Sequence, residues 1–375
     1  MNVARTAVKG LACCDTRRAF RGFTLYTPTE GREARIVDMS GRCLRRWRLP
    51  FEPCAPAELL PDGHLLYMGR DPDGPLADIE GAGGVAQELD AEGAPAWEYR
   101  DPFMHHAPFR SGEGSTLVLK WVPVPEAVAA RVSGGLAGSE RAGVMFGEAV
   151  LEIRPDGFVE RQWIAHQHLE PGTLKRCPLC PRDTWLHGNS VQQLADGKLL
   201  LSFAKVNTIA VVDMETGGLV WHWGCGGELT HQHAPVMLES GNILLFDNGY
   251  HPNGLAQNFS RALEIDPGSA KMVWSFEGHD GGDLRMLFYS SMHSNCQRLP
   301  NGNTLICEGM TGRLFEVTAH GDLVWEYVHA PDSEKEQPYV SHPVHGCFRY
   351  DLDYPGLAAA GIGDAPSAAG RNDGW

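Results

Sequence analysis

Apolar and polar positions along the chain follow one pattern that recurs six times. Each unit has a short apolar run, a polar turn that contains glycine, and then a tryptophan. The tryptophans lie 50, 66, 58, 53 and 51 residues apart, at Trp47, Trp97, Trp163, Trp221, Trp274 and Trp325. Such spacing is typical of repeat-built folds. Each unit predicts a β-hairpin whose outer strand carries the tryptophan, which we expect to pack between neighbouring units.

A second kind of hairpin alternates with the first. Its signature is a leucine, a turn that ends in Asp-Gly, Ser-Gly or Asn-Gly, and another apolar run, as in residues 60–67, 194–201, 238–246 and 299–306. These dipeptides tolerate positive φ and favour hairpin turns. Two hairpins make a four-stranded blade, and blades repeated around an axis make a propeller. The sequence therefore predicts an all-β fold, a six-bladed β-propeller, over an all-β protein of unrelated hairpins.

The ends of the repeat array predict how the ring closes. Residues 23–49 supply three strands, and residues 345–351 have the pattern of a single inner strand. One strand plus three completes the sixth blade and removes an open sheet edge. We expect an N-terminal segment over residues 1–22, the propeller over 23–355 with insertions at 122–147 and 164–186, and a disordered tail over 356–375.

Charge and hydropathy narrow the choice of partners and location. The chain has 375 residues, with 32 basic and 47 acidic side chains and a net charge of -15. This acidity argues against nucleic acid or a membrane surface as a partner. No apolar run approaches the roughly 18 residues of a membrane span, and the N-terminus lacks the apolar core of a secretory signal. We therefore expect a cytoplasmic protein that acts on a small molecule, with aromatic compounds among the candidates, and ten cysteines that are reduced thiols or metal ligands.

Histidine recurs at one phase of the repeat. It stands just before the inner strand in five of the six repeats, at His105 and His106, His187, His231 and His233, His293, and His342 and His345. The first repeat has Cys54 there. Inner strands line the channel of a propeller, so residues at their starts converge on one mouth. The sequence predicts a histidine ring at this mouth, although any one of these residues alone would fit a structural role.

Clustered imidazoles permit three kinds of chemistry, and the residue types alone leave all three open. They bind transition metals. They act as acid and base near neutral pH. One imidazole can attack a sulfur or phosphorus centre while the others neutralise the oxyanion.

The chain resembles the arylsulfate sulfotransferases over most of its length, roughly residues 23–350. The similarity is strongest in Trp-Leu-His-Gly-Asn-Ser-Val at 185–191, in Gln232-His233 and in Leu-Phe-Asp-Asn-Gly at 245–249. The resemblance implies a six-bladed propeller and transfer of a sulfuryl group between phenols without a nucleotide donor or another cofactor. It also implies that a channel histidine is sulfated transiently.

The motif positions assign the reacting groups by this resemblance. His233 follows Gln232 and precedes the Phe-Asp-Asn-Gly strand, so the resemblance makes it the nucleophile. His106 matches the histidine that starts the inner strand of the second blade, and the resemblance gives it a catalytic role in proton transfer.

The resemblance also assigns an anion-binding set. His187 and Asn189 match a His-x-Asn pair that binds sulfate, and His187 counts among the catalytic candidates. The family has an arginine where this chain has Lys205, which offers a point charge in place of a planar fork. His293 and His345 are surplus to the family pattern and are further candidates for substrate binding.

A Cys-x-x-Cys motif lies in the second insertion, at Cys177 and Cys180, shortly after His166 and His168. Two thiolates and two imidazoles are suitable ligands for tetrahedral zinc. A loop with idle thiols is the alternative. If metal binds, we expect it to hold this loop near the funnel mouth.

Three hypotheses follow. The first is a transferase that moves a sulfuryl group between phenolic compounds through a histidine intermediate. The second is a metalloenzyme of another reaction class, whose zinc, iron or copper is held by ring histidines, namely His106, His187, His233, His293 and His345. The third is a non-catalytic binding propeller, whose histidines would lie dispersed.

Overall fold

The computed structural model describes residues 8–252, 258–278, 287–330 and 340–362. The first strands along the chain are β1 (Gly10–Cys14), β2 (Gly22–Pro28), β3 (Glu33–Val37) and β4 (Cys43–Arg48). The first complete blade follows with β5 (Glu58–Leu59), β6 (Leu65–Arg70), β7 (Gly84–Leu89) and β8 (Pro95–Arg100).

The next four blades each form a four-stranded meander. The second contains β9 (Met104–Arg110), β10 (Thr116–Pro123), β11 (Phe146–Ile153) and β12 (Val159–Ile164). The third contains β13 (Gly188–Gln193), β14 (Leu199–Phe203), β15 (Thr208–Val212) and β16 (Leu219–Trp223). The fourth contains β17 (His233–Met237), β18 (Ile243–Asp247), β19 (Arg261–Asp266) and β20 (Lys271–Phe276). The fifth contains β21 (Asn295–Arg298), β22 (Thr304–Glu308), β23 (Arg313–Val317) and β24 (Leu323–Val328).

The sixth blade closes the ring with strands from both ends of the repeat array. Its inner strand is β25 (Val344–Asp351), and the order across the sheet is β25-β2-β3-β4. Strand β25 pairs with β2 in antiparallel register, with Phe23 opposite Tyr350 and Leu25 opposite Phe348. The predicted six-bladed propeller with this closure is confirmed.

Three of the six repeated tryptophans hydrogen-bond to the next blade. The indole N–H of Trp163 donates to the Gly217 carbonyl in the turn between the outer strands of the third blade, at 3.1 Å. Trp274 donates to Ala319 in the fifth blade at 2.9 Å. Trp325 donates to Met39 in the sixth blade at 3.1 Å. These bonds agree with the expected packing of the tryptophan between neighbouring blades, although the buried Nε1 atoms of Trp47 and Trp97 have no hydrogen-bond partner among the described residues.

The N-terminal segment adds a strand that the repeat does not predict. Strand β1 pairs with β24 and extends the fifth blade to five strands. It covers the outer edge of that blade, where unpaired backbone groups would otherwise face solvent.

The two insertions pack on each other beside the second and third blades. They include two short helices, α1 (Glu126–Ala129) and α2 (Ala165–His168). Parallel bridges join Leu136 to Pro181 and Phe146 to Thr184. Arg176, which is 3% exposed, donates through Nη1 to the Trp185 carbonyl at 2.7 Å. The insertions therefore form one packed layer.

The C-terminal segment departs from the sequence prediction. Residues 356–375 were expected to be disordered, but helix α3 (Pro355–Ala359) lies against the seam between the first and sixth blades. Leu357 and Ala360 are buried there beside Leu49 and Leu65. A few apolar side chains at helical spacing are enough to order this stretch despite its Ala- and Gly-rich composition. Residues 363–375 of that prediction lie outside the described residues.

Among the described residues, helices are all too short to cross a membrane.

Candidate active site

The inner strands enclose a central channel of about 410 Å³. Four of the predicted ring residues lie in its wall, namely His106, His233, His293 and His345. They come from the second, fourth, fifth and sixth blades and meet because each stands at or near the start of an inner strand. This convergence favours an enzyme over a non-catalytic propeller with dispersed histidines.

The turns into the inner strands hold several of these histidines in left-handed backbone. The φ angles of His106, His187 and His293 are 56°, 54° and 57°. Such angles are uncommon for residues other than glycine, and they cluster at functional sites. In the first blade the corresponding residue is Cys54, a buried thiol whose pKa is raised to about 12 by burial. Cys54 is therefore protonated and does not act as a nucleophile.

Asn248 determines which nitrogen of His233 faces the channel. Asn248 Nδ2 donates to the carbonyls of Ser290 at 2.8 Å and His293 at 3.2 Å, so its Oδ1 is the atom that faces His233. That oxygen lies 2.7 Å from His233 Nδ1, and the His231 carbonyl lies 3.1 Å from the same nitrogen. Two acceptors require that Nδ1 carries the proton. Nε2 therefore keeps its lone pair.

The four histidines of the channel wall have lowered pKa values and are neutral at physiological pH. Burial is the main cause, and it lowers the pKa of His233 and His345 to about 4. Burial and the neighbouring imidazoles hold the pKa values of His106 and His293 well below the usual range. The same holds for His187, which also faces the Lys205 charge. The mouth thus presents neutral imidazoles that accept or donate without a charge of their own.

The predicted anion-binding set lies next to the ring. His187 stands behind His106, with ring centroids 5.3 Å apart. The Lys205 ammonium is buried and donates to Asp183 Oδ1 at 2.7 Å and to Thr184 Oγ1 at 2.9 Å. Lys205 is thus held in place beside His187, but a carboxylate already offsets its charge.

Asn189 lies in the wall of the channel, where the resemblance predicts a contact to the substrate. Its side chain lies in the channel wall, and Nδ2 donates to the Gln232 carbonyl at 2.8 Å. Its Oδ1 is buried and has no hydrogen-bond partner within the part of the chain that the structure describes. An unpaired amide oxygen beside a cavity is a contact point for a polar ligand.

Sequence reasoning missed a buried chain of groups behind His106. His105 and Glu148 are both fully buried, and His105 Nε2 lies 3.0 Å from Glu148 Oε2. The two atoms lie within ion-pair distance, although the His105 Nε2–H does not point directly at the Glu148 oxygen. On the other side, His105 Nδ1 lies 2.9 Å from His106 Nδ1. Trp121 stacks on the His105 ring at 4.2 Å. When His105 carries its proton on Nε2, the nitrogen nearest Glu148, its Nδ1 accepts a hydrogen bond from His106 Nδ1. His106 Nε2 is then an acceptor.

Sequence reasoning also missed a guanidinium at the mouth. Arg70 ends β6 and lies with His293 and His345 in the wall of an outer cavity of about 370 Å³. Its Nη1 donates to the Ala77 carbonyl at 3.0 Å. The positive charge contributes to the lowered pKa values of His293 and His345. Glu80 lies in the same wall, and burial raises its pKa. Arg70 is a planar cation next to two histidines of the channel wall.

The structure corrects the predicted ligands of the Cys-x-x-Cys motif. His166 and His168 lie on α2 and point away from the motif, since His168 stacks on Trp163 at 6.1 Å and packs against Gly217. Proximity in sequence was misleading here because α2 directs both imidazoles toward the blades.

Two histidines from the fourth blade take those places. Cys180 Sγ lies 3.1 Å from His231 Nε2, and Cys177 Sγ lies 3.5 Å from His251 Nδ1. The ligand atoms of these four residues all lie within 4.8 Å of one another. His231, which the sequence placed in the ring, belongs to this cluster.

The histidine ring itself does not have metal-site spacing. Across residues 8–252, 258–278, 287–330 and 340–362, no three ring imidazoles bring ligand nitrogens within 4.8 Å of one another. His293 and His345 do approach as a pair, with Nδ1 atoms 3.4 Å apart. The geometry favours separate roles for these histidines over joint coordination of an ion.

Comparison with known proteins gives one family and one fold. The family model described as arylsulfotransferase (ASST) matches residues 80–330. No curated protein matches the chain. The crystal structure of a protein of unknown function from Bacteroides caccae is similar with a TM-score of 0.55 at 13% identity, over 88% of this chain and 98% of that one. At this identity the likeness supports the fold alone.

Two weaker structural similarities involve lyases. A streptogramin B lyase aligns with a TM-score of 0.47 at 10% identity, over 89% of this chain and 87% of that one. Virginiamycin B lyase from Staphylococcus aureus aligns with a TM-score of 0.45 at 11% identity, over 89% and 88% of the two chains.

Proposed function

Because the chain belongs to the arylsulfotransferase family, we propose that it transfers a sulfuryl group between phenolic compounds through a covalent intermediate on His233. The observation that carries this proposal is the tautomer of His233. Asn248 and the His231 carbonyl both accept from Nδ1, which leaves the Nε2 lone pair free in a wall of the channel. An oriented lone pair is what a nucleophile requires.

In the first half-reaction, His233 Nε2 attacks the sulfur of an aryl sulfate. The N–S bond forms while the bond from sulfur to the phenolic oxygen breaks, and the phenolate leaves with the electron pair. His233 keeps its proton on Nδ1, so the sulfated imidazole carries a positive charge that Asn248 Oδ1 and the His231 carbonyl stabilise.

In the second half-reaction, an acceptor phenol enters the channel. His106 Nε2 takes the phenolic proton, the phenol oxygen bonds to sulfur, and the N–S bond breaks with its electrons returning to His233. Glu148 and His105 stabilise the His106 imidazolium from behind, as a carboxylate stabilises the histidine of a catalytic triad.

Arg70, whose guanidinium lies beside His293 and His345, and Asn189 in the channel wall would bind the sulfuryl oxygens or the rest of the substrate. Lys205 would contribute its charge less directly, because Asp183 already pairs with its ammonium. The channel has more apolar than polar lining, with Phe109 and Phe348 along the inner strands, which suits an aromatic ring.

The test is transfer from a nitrophenyl sulfate to a phenol, followed by the absorbance of the released nitrophenolate. We expect His233→Ala to lose activity by at least about a thousandfold, because the covalent route depends on that nitrogen. The matched control is His320→Ala, an exposed histidine in a turn between outer strands. We also expect quenched wild-type enzyme to carry one sulfuryl group on the peptide that contains His233.

Two results would contradict the proposal. One is full activity in His233→Ala. The other is no transfer from any member of a panel of aryl sulfates by folded wild-type protein.

A further inference from the structure

We propose that Cys177, Cys180, His231 and His251 bind one zinc ion, which ties the second insertion to the strands that carry His233. The cluster lies outside the channel wall, so the zinc site does not depend on the sulfuryl-transfer chemistry. Its effect on His233 rests on the proposed function.

The spacing of the four ligand atoms fits a tetrahedral ion. Zinc bonds of about 2.3 Å to sulfur and about 2.0–2.1 Å to nitrogen place neighbouring ligands about 3.4–3.8 Å apart. The Cys177–His251 contact of 3.5 Å lies within this range, and the Cys180–His231 contact of 3.1 Å is slightly shorter than it. The contact between Cys180 Sγ and His251 Nδ1 measures 3.8 Å.

Burial and chemistry also fit a structural zinc site. Cys177, Cys180 and His231 are 5%, 4% and 7% exposed, and neither thiol forms a disulfide. Two cysteines with two histidines form a closed ligand set, which is typical of structural zinc and leaves no open position for a substrate.

The backbone of both histidines is held in an unfavourable conformation. His231 and His251 have φ angles of 57° and 56°, in the left-handed region. His251 also stacks on Tyr250, with ring centroids 3.8 Å apart. His106, His187 and His293 share this backbone conformation, so it sets the direction of the side chains and the ligand distances carry the case for an ion.

The ion would connect the second insertion to two loops of the fourth blade. The cysteine pair belongs to the second insertion, where the Cys177 amide donates to the Lys205 carbonyl at 2.8 Å. His231 precedes β17, and His251 follows β18. A zinc ion here therefore fastens the insertion layer to the two inner strands of the fourth blade.

The same two loops orient the nucleophile. The His231 carbonyl accepts from His233 Nδ1 at 3.1 Å, and Asn248 Oδ1 accepts at 2.7 Å. One acceptor belongs to a ligand residue, and the other lies three residues before His251. His231 and His251 are thus positioning residues that act on His233 through these acceptors.

Metal content is the primary test. The full-length protein is purified without a metal-affinity step, and its zinc is measured by plasma mass spectrometry. We expect about one zinc per chain, its loss in Cys177→Ser and in His251→Ala, and its retention in the controls His166→Ala and Cys43→Ser. Cobalt substitution adds a second readout, since the cobalt–thiolate charge-transfer band should vanish in Cys177→Ser.

Several outcomes would overturn the zinc site. The first is that wild-type protein binds no zinc after reconstitution. The second is a disulfide between Cys177 and Cys180, detected in protein alkylated without reduction. Zinc that is lost in His233→Ala but kept in Cys177→Ser would place the ion in the ring instead. Because wild-type protein decides the first two outcomes, an unfolded variant does not hide the answer.

The positioning role is tested by removing and restoring zinc. We expect chelation to lower kcat for sulfuryl transfer at least about tenfold, with little change in KM, and zinc to restore it. An unchanged kcat in the zinc-free protein would overturn the positioning role. Zinc-loaded protein without any transferase activity would instead refute the proposed function and leave the zinc site standing.

Discussion

Replacing Asn248 with alanine tests whether the tautomer of His233 drives the reaction. Asn248 is fully buried, does not line the channel, and holds His233 Nδ1 at 2.7 Å. In Asn248→Ala, the His231 carbonyl at 3.1 Å is the remaining acceptor of the two. The imidazole is then free to rotate and to move its proton to Nε2, where the lone pair is needed.

The magnitude follows from one lost buried hydrogen bond to a group that gains charge in the reaction. Such a bond contributes about 1.5–3 kcal/mol, and about 1.4 kcal/mol corresponds to a factor of ten. We therefore expect kcat to fall roughly 10- to 100-fold. KM for the aryl sulfate should stay within about twofold of wild type, because the lost contact does not touch the substrate.

The assay is steady-state release of nitrophenolate at saturating acceptor, with Asn258→Ala as the matched control. Asn258 is exposed and donates to the Tyr289 hydroxyl at 3.0 Å. Nitrogen-15 spectra of the histidine rings report the tautomer directly. Asn248→Ala also loses its bonds to Ser290 and His293, so thermal unfolding is recorded to confirm that the variant is folded at the assay temperature.

Two results would refute the reasoning. An unchanged kcat would show that the acceptor on Nδ1 does not matter. A raised KM with normal kcat would show that Asn248 acts on substrate binding instead.

Three further predictions concern the wall of the channel and the buried groups behind it. Glu148→Gln should slow the acceptor-dependent half-reaction about 10- to 100-fold and leave the initial burst of nitrophenolate unchanged, because proton removal by His106 is needed only in the second step; rapid-mixing kinetics separates the two. Gly81→Ala should lower the free energy of unfolding by about 2 kcal/mol or more, measured in urea, because φ is +77° and the new Cβ would clash with the His106 ring. The free energy of unfolding of wild type should fall between about pH 4.5 and pH 7, and Glu58→Gln should abolish this fall; urea unfolding at several pH values measures both.

The sign of the Glu58 effect follows from its raised pKa, which burial lifts from 4.5 to about 7. The folded state holds this proton more tightly than the unfolded state. Stability is therefore full below the unfolded pKa and is lost as pH rises through the folded pKa, by up to about 3 kcal/mol.

Each of these predictions has a contradicting result. A wild-type stability curve that Glu58→Gln leaves unchanged would contradict the Glu58 prediction. Equal losses in Gly81→Ala and in Gly93→Ala, where no atom lies within 4 Å of the new Cβ, would contradict the clash with His106. A smaller burst in Glu148→Gln would contradict its assignment to the second half-reaction.

The fold was predictable because the sequence repeats its own inter-blade contacts. Trp163 and Trp274 recur at one phase since each indole must reach a carbonyl of the next blade. Positions such as His106 and His293 were also predictable as neighbours, because inner-strand starts meet at the axis of any propeller.

The zinc ligands were not predictable in the same way. His231 lies 51 residues from Cys180, and His251 lies 71 residues from it, in a different blade-forming segment. The search for ligands near Cys177 in sequence instead favoured His166 and His168. Only the relative positions of the third and fourth blades bring the correct partners together.

Glu148 has a weak signature in the sequence, because it is an acidic residue within a largely apolar strand. It lies in β11, a strand in which all seven residues after Phe146 are buried. An acid among such residues needs a partner, since an isolated buried charge is strongly unfavourable. The partner, His105, could not be identified before the register between β9, β10 and β11 was known.

The seam between β25 and β2 makes the appearance of catalytic function a late event in folding. Nearly the whole repeat array lies between these two strands in the sequence. Pairings between such distant segments form slowly because the intervening chain must first be ordered. The same strand carries His345 into the channel wall. A chain still being synthesised, with five blades in place, thus has an open ring and an incomplete pocket. The pairing of β25 with β2, which closes the ring, is therefore also the step that completes the pocket.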